Sequence, residues 1–173
     1  MKSPSPAKQI KLLVSDVDGT LTDGCLGYDS QGSDSKAFNV LDGMGIVMLT
    51  RAGIRVGLLS AKESAVLRAR ARDLDLAFCL DGVSDKKAKL DELLPALGLS
   101  YDEMCYIGDD LNDIDCLGLS AFPVTVASAR PEVKRIAAYI TRASGGRGAV
   151  RELAEVLLRA QGRWSANLER YET

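Results

Sequence analysis

The sequence predicts one α/β domain built on a parallel sheet flanked by helices. Three observations lead there. A chain of 173 residues suits a single hydrophobic core. Apolar runs of strand length alternate with segments of helical periodicity, the pattern of repeated βαβ units. Clusters of aspartate stand directly after two of those runs, and in an open α/β sheet functional groups collect where loops leave the carboxyl ends of strands.

Residues 11–15 (KLLVS) read as a first, buried strand. Residues 25–28 and 36–40 flank Asp29-Ser30-Gln31-Gly32, turn residues between two short strand-like runs, and so predict a β-hairpin. Residues 41–52 carry apolar side chains at helical spacing and stop at Gly53. Residues 55–59 (RVGLL) form a second core strand, followed by a helix over 63–74. A third strand over 77–80 precedes a helix over 86–97, with Pro95 near its end. Residues 104–107 form a fourth strand with a short helix running through Cys116. Further strands are expected over 121–126 and 138–141, on either side of a helix starting near Pro131. A last helix, 147–160, is opened by Gly145-Gly146. The domain is expected over 10–160, with residues 1–9 and 161–173 as flexible or peripheral tails.

Composition narrows the chemistry. The chain is 46% hydrophobic and 27% charged, ordinary for a soluble globular protein, with a formal net charge of −2. Its basic residues form no cluster of the kind that tracks a nucleic-acid backbone. No apolar run is long enough to cross a membrane, and the polar, proline-bearing first residues lack the apolar core of a signal peptide, so a cytoplasmic protein is expected. There is no histidine, which excludes Ser-His-Asp triads and the common zinc sites. The four cysteines, Cys25, Cys79, Cys105 and Cys116, form no C-x-x-C pair, and none is followed six positions later by arginine, as a cysteine-type phosphatase loop would need. Cys79 and Cys105 lie inside apolar runs and read as small core residues. Carboxylates, hydroxyls, lysines and a hard metal remain.

The strongest signal is Asp16-Val17-Asp18-Gly19-Thr20, directly after the first strand. An ionised Asp16 at the strand tip can attack phosphorus, and a protonated Asp18 can donate to the leaving oxygen and later deprotonate water. Gly19 lets the backbone turn away, and Thr20 can hydrogen-bond within the turn. A second acidic cluster, Gly108-Asp109-Asp110-Leu111-Asn112-Asp113, follows the fourth strand. Carboxylates converging from two strand tips repel unless a cation lies between them, and an all-oxygen site fits Mg²⁺. Asp109 or Asp110 would complete the metal shell, and Asp113 would orient it. Ser60 after the second strand, and Lys86 at a helix start where a cation opposes the dipole, suit a transferring phosphoryl group.

In this order along residues 11–113, the motifs resemble those of the haloacid dehalogenase superfamily, which implies a Rossmann-like fold. The resemblance implies Asp16 as nucleophile and Asp18 as acid/base, its backbone carbonyl also touching Mg²⁺. It makes Asp109 the remaining carboxylate ligand and gives Asp113, with Asp110 beside it, a supporting place. Ser60 and Lys86 would bind phosphate. The spacing after each of the first two strands leaves no room for the cap domain that many members insert, so the site should be capless.

Thr22-Asp23-Gly24 before the hairpin, Phe38 to Ile46 (FNVLDGMGI) and Ser144 to Glu152 (SGGRGAVRE) look like the 3-deoxy-D-manno-octulosonate 8-phosphate phosphatases. They look equally like relatives acting on nine-carbon ulosonate 9-phosphates. That resemblance implies a homotetramer whose hairpins form a central barrel and whose neighbours cover each site. An acidic sugar phosphate calls for cations away from the metal, and Arg70 and Arg147 are candidates; Arg68 reads as a solvated surface residue, and Arg151 is a further possible contact. Ala61-Lys62-Glu63 and Ala69 depart from the subfamily pattern at positions expected to face the sugar. The helices and the glycine-rich end are also similar to the C-terminal domain of animal-type N-acylneuraminate cytidylyltransferases, where the fold serves assembly at least as much as catalysis. Because Asp16, Asp18, Lys86, Asp109 and Asp113 are all present together, a phosphatase is the stronger expectation.

Overall fold

The structure, a computed structural model, describes residues 6–169. Six parallel strands form the main sheet: β1 (Leu12–Ser15), β4 (Arg55–Leu59), β5 (Phe78–Leu80), β6 (Met104–Gly108), β7 (Phe122–Thr125) and β8 (Tyr139–Ile140). β2 (Gly27–Tyr28) and β3 (Asp34–Ser35) make a separate antiparallel hairpin. The sheet order is β5-β4-β1-β6-β7-β8. After β1 the chain steps to β4 and β5 on one side, then crosses to β6, β7 and β8 on the other. The order therefore reverses at β1, and the crevice beyond its carboxyl end lies between the tips of β4 and β6.

Apolar content explains the strand positions. Leu12, Leu13 and Val14 are fully buried, as are Met104, Cys105, Tyr106 and Ile107, because central parallel strands are covered on both faces. The helices are α1 (Val40–Arg51), α2 (Ala65–Asp73), α3 (Lys86–Ala96), α4 (Ile114–Leu119), α5 (Pro131–Ile136), α6 (Ala149–Ala160) and α7 (Trp164–Leu168). α1 packs on α6, while α3, α4 and α5 pack in series. Right-handed crossovers running in opposite directions from β1 put these two groups on opposite faces. No cap domain is inserted among the described residues, and none of their helices is long and apolar enough to cross a membrane.

Three local departures from the sequence reading have physical causes. The second hairpin arm is Asp34–Ser35 rather than 36–40: Lys36 leaves the ladder to pair with Asp18, and Asn39 caps α1 by accepting from the Leu41 N–H at 2.8 Å. α6 begins at Ala149, not 147, because Gly148 adopts a left-handed conformation at the cap. Beyond Gln161, Trp164 opens α7 and stacks beneath the Arg159 guanidinium, 4.3 Å from the ring centroid. At the other end, residues Pro6–Gln9 form a 3₁₀ turn with Ala7 buried, and the Gln161 amide donates to the carbonyls of Ala7 and Ile10. Residues 1–5 and 170–173 of the expected tails lie outside the described residues.

The double glycine before α6 is a close backbone contact. A Cβ on Gly145 would stand 1.8 Å from the Gly19 carbonyl oxygen, and the Gly146 N–H donates to the Thr20 carbonyl at 3.1 Å. The fully buried Asp42 of α1 secures the same loop, accepting from the N–H groups of Gly148 and Arg151. Gly145→Ala is therefore expected to overpack this contact and cost about 1–3 kcal/mol. Urea denaturation measures it, and an unchanged midpoint would show that the loop can withdraw freely.

Candidate active site

The carboxyl ends of β1, β4 and β6 bring the acidic motifs together. Asp16 follows β1, its N–H donating to the Ile107 carbonyl of β6 at 2.9 Å, so its backbone continues the sheet. Asp109 follows β6 and accepts at 2.8 Å from the Thr20 hydroxyl. Thr20 thus reaches across to the second motif instead of closing its own turn. Gly19 makes that approach possible: its φ is +99°, and a Cβ there would meet the Asp109 carboxylate at 2.2 Å.

Lys86 is the first residue of α3. Asp85 caps the helix, accepting from the Ala88 N–H at 2.8 Å. The Lys86 ammonium is buried and donates to Asp16 Oδ1 at 2.5 Å and to Asp113 Oδ1 at 2.8 Å. Burial alone would discharge it, but Asp16 and Asp113 outweigh burial and raise its pKa. Asp113 is saturated. Its Oδ1 also accepts from the Tyr106 hydroxyl at 2.7 Å, and its Oδ2 from the Asp109 and Asp110 N–H groups at 3.0 and 3.3 Å. Asp110 is turned outward and caps the turn after β6, accepting from the Leu111 N–H.

Oxygens of Asp16, Asp109 and Asp113 lie within 4.8 Å of one another. Asp113 has its acceptor capacity occupied, whereas Asp16 and Asp109 keep oxygens available. Burial, followed by the Asp113 charge, pushes the Asp16 carboxyl well above its ordinary value despite Lys86. Burial also lifts Asp109, to about 6, with the Thr20 hydrogen bond opposing and the Asp113 charge assisting. Three carboxylates against one ammonium leave two negative charges unbalanced. Oxygen-only donors with that excess suit a hard divalent cation.

Ser60 follows β4 and is buried; its hydroxyl donates to the Lys62 carbonyl at 3.2 Å and accepts from the Lys62 N–H. Asp18 lies in the loop two residues past Asp16 and is paired with the buried ammonium of Lys36. The two candidate arginines have partners other than Asp16, Asp109 and Asp113. Arg70 lies over the Phe38 ring at 5.7 Å beside α1, and Arg147 pairs at 3.6 Å with Asp23, just past the loop after β1. Arg68 pairs with Asp81 at 2.5 Å, and Arg151 donates to Glu155 at 2.8 Å. Lys36 and Tyr106 escaped the sequence reading. A tyrosine inside a fully buried strand does signal a hydroxyl in need of a partner. For Lys36 the sequence holds no comparable sign, since only the folded hairpin shows that it is buried.

An open parallel sheet with carboxylates at neighbouring central strand tips and an inward lysine defines a haloacid dehalogenase-like hydrolase, and the family of that description matches residues 78–153. The 3-deoxy-D-manno-octulosonate 8-phosphate phosphatase of Haemophilus influenzae is 38% identical over 91% of this chain and 88% of its own length. That of Yersinia pestis is 41% identical, over 90% of this chain and 83% of its own. Among solved structures, the Moraxella catarrhalis phosphatase of the same name, in complex with magnesium, phosphate and KDO, superposes with a TM-score of 0.95 at 36% identity, covering 98% of this chain and 97% of that one. A cobalt-bound phosphatase structure from Haemophilus influenzae gives 0.90 at 36% identity, covering 97% and 96%. The chain belongs to the 3-deoxy-D-manno-octulosonate 8-phosphate phosphatase family of haloacid dehalogenase-like hydrolases, and is a phosphatase.

Two expectations follow from the charge arrangement. A cation binds the deprotonated carboxyl, so Mg²⁺ affinity should rise as pH increases through about 6, the value to which burial lifts Asp109, with Asp16, also raised by burial, adding to the rise. Calorimetric titration at pH 5, 6 and 7 tests this, and a flat affinity would contradict it. Asp113→Ala should cost about 3–5 kcal/mol of stability by leaving Tyr106 and half of the Lys86 ammonium unpaired in the core. Chemical denaturation provides the check.

Proposed function

We propose that this phosphatase is a Mg²⁺-dependent phosphomonoesterase that hydrolyses 3-deoxy-D-manno-octulosonate 8-phosphate through an aspartyl-phosphate on Asp16. The observation that carries the reading is the Lys86 ammonium held between Asp16 and Asp113 at the sheet's switch point. It supports reading Asp16 as a buried carboxylate nucleophile beside a fixed cation where a phosphoryl group would develop charge. Asp16 and Asp109 would hold the metal through carboxylate oxygens and Asp18 through its backbone carbonyl. Mg²⁺, when bound, supplies positive charge to the phosphoryl oxygens and the attacking carboxylate.

The protein's own groups account for the remaining steps. Asp16 forms the new O–P bond in line with the leaving oxygen, while Asp18 delivers a proton to that oxygen as the ester bond breaks. Lys86 and the Ser60 hydroxyl bind the phosphoryl oxygens. Asp18, now ionised, takes a proton from the water that attacks the phosphoaspartate, and Asp16 is regenerated. Asp113 keeps Lys86 aimed, and Asp110 fixes the turn that presents Asp109.

Arg70 and Arg147 are candidates for the sugar acid, since neither is tied to the buried Asp16–Lys86–Asp113 cluster. A nine-carbon ulosonate 9-phosphate is the second substrate to test, because Lys62 departs from the subfamily pattern and stands over the Tyr28 ring at 4.3 Å on the hairpin. Self-association into a tetramer is supported by Leu26, Tyr28, Val40, Leu41 and Met44, large apolar side chains exposed on and beside the hairpin. A neighbouring copy there would supply the cover that a capless site lacks. An assembly-only role, as in the cytidylyltransferase domain, predicts no turnover.

Phosphate release with Mg²⁺ from the eight- and nine-carbon ulosonate phosphates, beside ordinary sugar phosphates, tests the proposal. Turnover should concentrate on the eight-carbon ester and fall on the order of 10³-fold or more in Asp16→Asn. Preference for the nine-carbon ester would reassign the substrate, and the absence of turnover on any ester would favour assembly. Light scattering is expected to give a tetramer, and a fully active monomer would remove the neighbour as cover.

A further inference from the structure

We infer that Lys36 is the residue that positions Asp18 for proton transfer, so that the hairpin is part of the acid–base machinery. This rests on the reading of Asp18 as acid/base. Lys36 immediately follows β3, and its side chain is 1% exposed. Lysine is almost never buried to that degree unless paired. Its ammonium meets Asp18 Oδ1, in the loop two residues beyond the nucleophile. The other carboxylate between the loop after β1 and the hairpin, Asp23, accepts from the Cys25 N–H and pairs with Arg147 instead.

The geometry divides the Asp18 carboxylate between two tasks. Oδ1 is held by the ammonium and fixes the plane of the group, which leaves Oδ2 to carry the proton. As Asp16 forms its bond to phosphorus and the ester P–O bond breaks, that proton passes from Oδ2 to the departing oxygen. Without Lys36, Asp18 can rotate about its side-chain torsions, and the proton is no longer delivered along a single direction. Nothing in this changes how Asp16, Asp109 or Lys86 face the phosphoryl group, so the deficit should appear only where the leaving group needs a proton.

That separation is measurable through kcat/KM, which reports steps up to loss of the leaving group. Lys36→Met, Lys36→Gln and Asp18→Asn are compared with the parent protein on p-nitrophenyl phosphate, whose leaving group departs without a proton. The comparison ester is the primary-alcohol phosphate in the panel above that turns over fastest. Lys36→Met is expected to lose about 10²-fold on the alcohol ester and less than about threefold on p-nitrophenyl phosphate. Lys36→Gln, which keeps a donor, should recover part of the loss, and it stands in for the Met variant if that does not fold. Equal losses on both esters, or no loss on either, would overturn the inference. If Asp18→Asn discriminates between the esters and the Lys36 variants do not, the inference alone fails. If Asp18→Asn does not discriminate, the acid–base reading fails and takes Lys36 with it.

Discussion

A buried ammonium between two buried carboxylates is the constraint on which the catalytic end depends. Like-charged groups at about 5 Å repel by roughly 3–4 kcal/mol at an effective dielectric constant of 20. Asp16, Asp109 and Asp113 lie within that range of one another, and Lys86 relieves only part of their repulsion. The protein manages the remainder by giving Asp113 four donors, so that this carboxylate is fixed and saturated. What is left over falls on Asp16 and Asp109, the two that keep oxygens for a cation. Excess charge is thus not spread over the cluster but delivered to the pair at the tips of β1 and β6.

The sheet order makes this possible with few residues. Because β1 lies between β4 and β6, groups separated by almost a hundred positions arrive at adjacent strand tips without inserted structure. Two further segments then close on the loop after β1. The hairpin exit brings Lys36 to Asp18, and the glycine pair ahead of α6 lays backbone on backbone at Gly19 and Thr20. Asp42 joins the second segment to α1 through the first turn of α6, where free N–H groups favour an anion. The loop carrying Asp16 and Asp18 is consequently braced from three directions.

How much of this could be read from sequence follows from which interactions are local. Strands and helices were legible because their apolar periodicities are local, and boundaries moved where a cap conformation or a long-range contact intervened, as when Gly148 delayed α6 and Lys36 left the hairpin ladder. That Asp16, Asp109, Lys86 and Asp113 would meet at one end of the sheet was legible because each stands at a fixed offset from a strand or helix end. The residues alone left Asp109 and Asp110 open and the family resemblance chose Asp109; in the structure Asp109 reaches Thr20 while Asp110 caps its own turn. The pairing of Lys36 with Asp18 was invisible because it exists only in the folded hairpin, whereas Tyr106 signalled a hydroxyl in need of a partner without naming Asp113. Gly145-Gly146 was visible as a pattern, but its reason, the lack of space above the Gly19 carbonyl, needed three dimensions.

On the proposed function, the same geometry would separate chemistry from recognition. The groups proposed to face the phosphoryl position are buried on strand tips and at the first residue of α3, and they are fixed by partners within the fold. Cations suited to a sugar acid sit elsewhere: Lys62 against Tyr28, Arg70 against Phe38, and Arg147 beside Asp23, each paired loosely at an exposed or half-exposed edge. Such pairs are weakly held in water and can exchange partners at little cost. A ligand carboxylate can therefore take over one of these cations without disturbing the buried cluster. Changes in the sugar would be accommodated along the hairpin and α2, while the Asp16–Lys86–Asp113 arrangement stays fixed, because none of its members can move without leaving a charge unpaired in the core.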